Sequence, residues 1–115
     1  MPRDVRMYLS DISVSINSIY DYLGEYRNFT AYEGNKLLRR AVERELEIIG
    51  EAVNQLLKIN PNFPVTHARR IVSLRNWVIH SYDNVDNVII WGIIEKDLPL
   101  LQKEVAELLK DEDPR

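Results

Sequence analysis

Asp4-Val5-Arg6-Met7-Tyr8-Leu9-Ser10-Asp11-Ile12 runs on through Ser15-Ile16-Asn17-Ser18-Ile19-Tyr20 to Leu23. Its apolar residues Val5, Tyr8, Leu9, Ile12, Ile16, Ile19, Tyr20 and Leu23 recur at steps of three and four, the stripe of an amphipathic helix and not the alternation of a strand. This spacing predicts a first long helix from Asp4 to about Tyr26, closing near Gly24. The stretch Arg27-Asn28-Phe29-Thr30 has no period and reads as a turn. A second helix is expected from about Tyr32 to Ile59. Its buried face is drawn from Leu37, Leu38, Ala41, Val42, Leu46, Ile49, Ala52, Val53, Leu56 and Leu57. Gly50 sits inside it, where glycine costs on the order of 1 kcal/mol against alanine, so a close helix crossing is expected there.

Asn60-Pro61-Asn62-Phe63-Pro64 breaks the pattern, because each proline lacks an N–H and restricts the residue before it. Thr66 is the expected N-cap of a third helix from about His67 to Tyr82, with His67 as a surface or turn residue. Asp83-Asn84-Val85-Asp86 is the next interruption. Asp86 is placed to cap a fourth helix from near Asn87, and Pro99 within that helix predicts a kink or break around Lys96 to Pro99, with Asp97 available to cap the helical segment beyond it. Residues 111–115 read as a frayed acidic tail. Four helices with short connections and no strand pattern predict an all-α, up-and-down four-helix bundle, a single domain over residues 1–115.

The totals narrow the function. The sequence contains no cysteine, which excludes disulfides, thiolate zinc sites and cysteine nucleophiles. No apolar run is long enough for a signal peptide or a membrane span, and the expected location is the cytoplasm. A formal net charge of −3 argues against a protein that coats nucleic acid along a broad basic face, and no DNA partner is expected. It leaves room for a local phosphate site. Arg69, Arg70, Arg75 and His80 cluster in a stretch free of acidic residues, suited either to a small RNA-contacting groove or, for Arg69 and Arg70, simply to solvent. No glycine-rich phosphate loop and no His-Glu-x-x-His occurs. Glu43, Glu47 and Glu51 share a helical face but lack the Glu-x-x-His partners of a di-metal site, so they read as a solvated face or as ion pairs.

The remaining feature is Arg75-Asn76-Trp77-Val78-Ile79-His80-Ser81-Tyr82. It resembles the Arg-x4-His-x-Tyr signature of the HepT toxins, helical ribonucleases of the HEPN superfamily. The likeness spans nearly the whole chain. Tyr8-Leu9-Ser10-Asp11-Ile12, Ala41-Val42-Glu43-Arg44 leading into Ile48-Ile49-Gly50-Glu51-Ala52, and Arg75 to Tyr82 look like the family's three marker segments in order. Trp91 and Leu98-Pro99 also stand where the family tends to place such residues. The resemblance implies a HEPN-like bundle and a metal-independent endoribonuclease that needs no cofactor. It further implies a homodimer with motif helices facing across the two-fold axis and toxin duty in a type VII-like toxin–antitoxin pair. The implied antitoxin is a minimal nucleotidyltransferase that silences the toxin by adding AMP to Tyr82.

The residues can be tested against that chemistry. On one helix Asn76 and His80 lie about 40° apart, whereas Arg75 and His80 are separated by about 140°. A single helix therefore does not build a compact site, and two copies across a two-fold axis supply two arginines and two histidines to one cleft. His80 titrates near neutral pH and suits a general base. Arg75 stays charged and offers a planar fork to phosphate oxygens. Asn76 is a supporting hydrogen-bonding residue, and Glu51 either orients a motif side chain or forms an exposed ion pair. His80 can equally be a packed structural histidine, Tyr82 an aromatic lid, and Trp77 a core residue or a base-stacking one. The alternative function is a non-catalytic helical module that binds a minimal nucleotidyltransferase and a nucleotide.

Overall fold

A computed structural model of the chain describes residues 3–80 and 86–111, with Arg3 and residues 75–80 as backbone only. Helix α1 spans Arg3–Leu23. Its predicted stripe is the buried one: Val5, Leu9, Ile12, Ile16 and Ile19 are all in the core. The helix stops at Gly24, whose φ of 75° lies in the left-handed region open to glycine. The Gly24 N–H donates to the Tyr20 carbonyl at 3.0 Å, satisfying one of the helix's last acceptors.

The expected second helix is two helices. A single turn, α2, spans Phe29–Glu33 and is capped by Asn28, whose side chain accepts from the Ala31 N–H. The chain then pauses at Gly34-Asn35, and the Asn35 side chain caps α3, Lys36–Ile59, by accepting from the Leu38 N–H. Because α3 starts only at Lys36, Leu37 falls in its first turn and off the inward stripe. It is 81% exposed and leaves the expected buried face, while Val42, Leu46, Ile49, Val53 and Leu56 stay on it.

After the proline break, α4 spans Ala68–His80. Thr66 does not cap it. Its hydroxyl donates to Glu104 Oε2 at 2.6 Å, and its backbone N–H donates to the same carboxylate. His67 instead turns the chain into the helix with a φ of 57°, and it is exposed as expected. Asp86 does cap the next helix, accepting from the Val88 and Ile89 N–H groups, and α5 spans Asn87–Gly92. A π-helical turn at Ile93–Asp97 continues it without a break, and α6 runs over Leu98–Asp111. Pro99 accounts for the π turn: it has no N–H for the carbonyl four residues back, so the wider turn just before it absorbs the lost bond. The interruption expected near Pro99 is this local change of winding. Asp97 has no new helix to cap and pairs with Arg70 of α4 instead.

The result is an all-α bundle of four helical runs, α1, α3, α4 and the composite α5–α6. Helix α3 packs against both α1 and α4, and α1 also packs against α6. Ile90, Ile94, Leu98, Leu101 and Val105 bring the last run into the common core. Beside it, Tyr32 and Phe29 of α2 flank Trp91, with ring centroids 5.4 and 5.9 Å away. No helix among the described residues is long and apolar enough to cross a membrane.

Candidate nuclease site

The motif residues Arg75, Asn76 and His80 lie in the second half of α4. Ile71 and Leu74 are buried and define the inward side of that helix. Helical register carries positions 76 and 80 round to the opposite side, with position 75 between the two. Among the described elements α4 packs chiefly on α3, and Arg70 joins it to the π turn. Ser81 and Tyr82, the expected modification residue, lie outside the described residues, as do the side chains of Arg75, Asn76 and His80.

Glu51, the supporting residue expected from α3, is exposed. Its carboxylate accepts from Gln55 Nε2 at 2.8 Å. It also lines a cavity of about 340 Å³ between α1 and α3, together with Tyr8, Asp11, Arg44 and Glu47. Among the described residues that line it, Asp11, Glu47 and Glu51 are acidic and Arg44 is basic. Glu47 is paired with Arg44 at 3.4 Å. Glu43, placed by sequence on a solvated face or in an ion pair, is buried and paired with Arg40 at 3.1 Å. The ion-pair reading therefore holds for both, and the solvated reading does not hold for Glu43.

Arg69 and Arg70 are both exposed at the start of α4. Arg70 is not simply a solvent-facing charge, because it bridges to Asp97 across the seam between α4 and the π turn. That seam is a second cavity of about 420 Å³, lined among others by Arg70, Ser73, Leu74, Ile89, Gly92 and Lys96. Ser73 and Lys96 were not singled out by the sequence, and Asp97 was expected only as a cap. Lys96 and Asp97 meet Arg70 only through the packing of α4 against a run more than twenty residues later, which no local pattern encodes, whereas Ser73 lies one turn on along α4 and donates to the Arg70 carbonyl.

The described residues form an all-α bundle in which positions 75 and 80 share helix α4. The comparisons with known proteins agree and are more specific. The chain belongs to the ribonuclease HepT-like family, whose model matches residues 12–108. It is 36% identical over 104 residues to the protein named "Putative RNase MJ1380" of Methanocaldococcus jannaschii, covering 90% of this chain and 94% of the relative. It is 32% identical over 114 residues to "Probable ribonuclease HepT" of Thermococcus cleftensis, covering 96% and 100%. A third relative, "Putative RNase TTE0752" of Caldanaerobacter subterraneus subsp. tengcongensis, is 39% identical over 89 residues, or 74% of this chain and 77% of its own. No solved structure matches the chain significantly.

Proposed function

We propose that this protein is a metal-independent endoribonuclease that works as a homodimer and serves as the toxin of a toxin–antitoxin pair. The observation that carries the reading is the position of Arg75 and His80 on one helix, α4, of an all-α bundle in a chain of the HepT-like ribonuclease family.

In this reading neutral His80 takes the proton from a ribose 2′-hydroxyl, and the 2′-oxygen attacks the adjacent phosphorus. Arg75 neutralises the equatorial oxygens as they gain charge. The bond from phosphorus to the 5′-oxygen breaks as that oxygen is protonated by the partner subunit's His80. The products are a 2′,3′-cyclic phosphate and a free 5′-hydroxyl. Asn76 holds the imidazole or the phosphate by hydrogen bonding, Glu51 supports the site from α3, and Arg69 and Arg70 contact RNA. A minimal nucleotidyltransferase antitoxin silences the enzyme by transferring AMP to Tyr82.

Incubation of a mixed RNA pool with the purified protein in EDTA tests the chemistry. The unsubstituted protein is expected to cut and leave cyclic phosphate ends, and Arg75→Ala and His80→Ala are expected to lose at least a hundredfold in rate, the scale of a general acid–base contribution. Cleavage by His80→Ala at the parent rate, or an inert parent whose mass shows no nucleotide on Tyr82, removes the enzyme reading.

A further inference from the structure

The seam between α4 and the α5–π run holds a groove lined by both apolar and charged residues. Its floor is apolar, with Leu74 and Ile93 buried and Ile89 partly exposed. Its rim carries Arg70, Ser73 and Lys96. Its volume of about 420 Å³ falls within the range of small-ligand sites, about 300–1,000 Å³. Gly92 widens it: the backbone there is ordinary right-handed helix, and a Cβ built on it meets nothing within 4 Å.

The charges on the rim are not cancelled outward. The Asp97 side chain is only 13% exposed against 57% for Arg70, so the carboxylate faces the guanidinium while the guanidinium faces solvent. Arginine has five N–H donors and the pair with Asp97 leaves most of them available. Lys96 is exposed and has no ion pair among the described residues. The groove therefore offers an apolar floor to a flat ring and two cations to a phosphate.

Register ties the groove to the motif. Arg70, Ser73, Trp77 and His80 occupy steps of three and four along α4 and fall within an arc of about 80°. Arg70 and Ser73 are on the groove, so the same side of the helix leads from it to the position of His80. Ten residues of helix separate Arg70 from His80, about 15 Å at the usual rise. That distance sets the groove apart from the cleaved linkage and places it along the path of the same strand.

We propose that the groove between α4 and the α5–π run binds a nucleotide of single-stranded RNA flanking the cut site, its base on the Leu74, Ile89 and Ile93 floor and its phosphate against Lys96 and Arg70. The proposal rests on the ribonuclease reading for its strand direction, and its test uses binding rather than cleavage so that the two stand or fall apart. The probe is a fluorescein-labelled 2′-O-methyl RNA octamer, which lacks the attacking hydroxyl and survives the enzyme. Gly92→Leu plugs the groove at a site whose backbone accepts a side chain, and leucine favours the helix more than glycine. It is expected to weaken octamer binding at least tenfold with an unchanged or raised thermal midpoint. Lys96→Gln is expected to weaken binding three- to tenfold and to reduce the slope of binding against salt by about one counterion.

Parent-like binding by Gly92→Leu, or no octamer binding by the parent, overturns the proposal. So does a Gly92→Leu variant that sediments as a monomer where the parent is a dimer, which would give the groove to a second copy of the chain. Binding and salt slope unchanged in Lys96→Gln overturn the phosphate contact. If His80→Ala cuts RNA as the parent does while Gly92→Leu still loses the octamer, the catalytic assignment fails and the groove remains.

Discussion

Tyr32 shows most clearly how a single residue is held against its own chemistry. It is fully buried, its ring lies 5.4 Å from that of Trp91, and its hydroxyl has no hydrogen-bond partner among the described residues. Burial raises its pKa far above the ordinary value of 10.0, and the nearby Glu43 carboxylate adds to the rise while Arg39 opposes it. Leaving a buried hydroxyl unpaired costs about 1–3 kcal/mol, whereas the ring contact does not need the oxygen. Tyr32→Phe is therefore expected to hold stability or raise it by about 1 kcal/mol at pH 7, read as a shift of the urea midpoint. The alkaline limb gives the sign independently. Tyrosine in the unfolded chain ionises near pH 10 while folded Tyr32 stays protonated, so the folded state loses ground as pH rises above that point. The advantage of the phenylalanine variant should widen between pH 9 and 11. A variant that is less stable than the parent at both pH values would mean that the hydroxyl has a partner after all.

At the scale of elements, the helices begin where short polar side chains take up the first N–H groups. Asp86 accepts from both Val88 and Ile89 and so starts α5 immediately after the motif region. Asp86→Ala should cost about 1 kcal/mol and speed amide exchange at Val88 and Ile89, while Asp86→Asn should restore both. Equal losses in the two variants would show that the cap is not what the aspartate supplies. The cap at Asp86 was legible because Asp stands directly before an apolar period, and the α1 stripe was legible because five core positions, Val5 to Ile19, repeat over about four turns. The caps at Asn28 and Asn35 were not, because α2 is a single turn and too short to show any period. Thr66 looks like a cap in sequence, but its hydroxyl is taken by Glu104, thirty-eight residues away. Asp97 was misplaced for the same reason, its partner Arg70 being visible only once α4 lies beside the π turn. The candidate site divides likewise. The spacing of Arg75 and His80 is a property of one helix and could be read directly, whereas the groove that Arg70 shares with Lys96 belongs to two.

For the whole molecule, the arc between Arg75 and His80 is the decisive geometry. The two positions stand about 140° apart on α4, too far round one helix for both side chains to serve one phosphate comfortably. If the working pair is Arg75 of one protomer with the partner subunit's His80, each dimer holds two such pairs across its axis. Arg75→Ala and His80→Ala, each inactive alone, should then complement each other. After unfolding and refolding together, half of the dimers are mixed, and each mixed dimer keeps one intact arginine–histidine pair. The mixed dimer lacks the second His80 that serves as the acid, so with water protonating the 5′-oxygen the mixture is expected to recover measurable activity below about a quarter of the parent's ribonuclease rate at equal protein concentration. A site built within one protomer predicts no recovery, because every protomer in the mixture carries one of the two lesions. The same refolding of either variant by itself is the control, and activity that falls on dilution in parallel with loss of the dimer by sedimentation would show that recovery comes from pairing rather than from residual monomer chemistry.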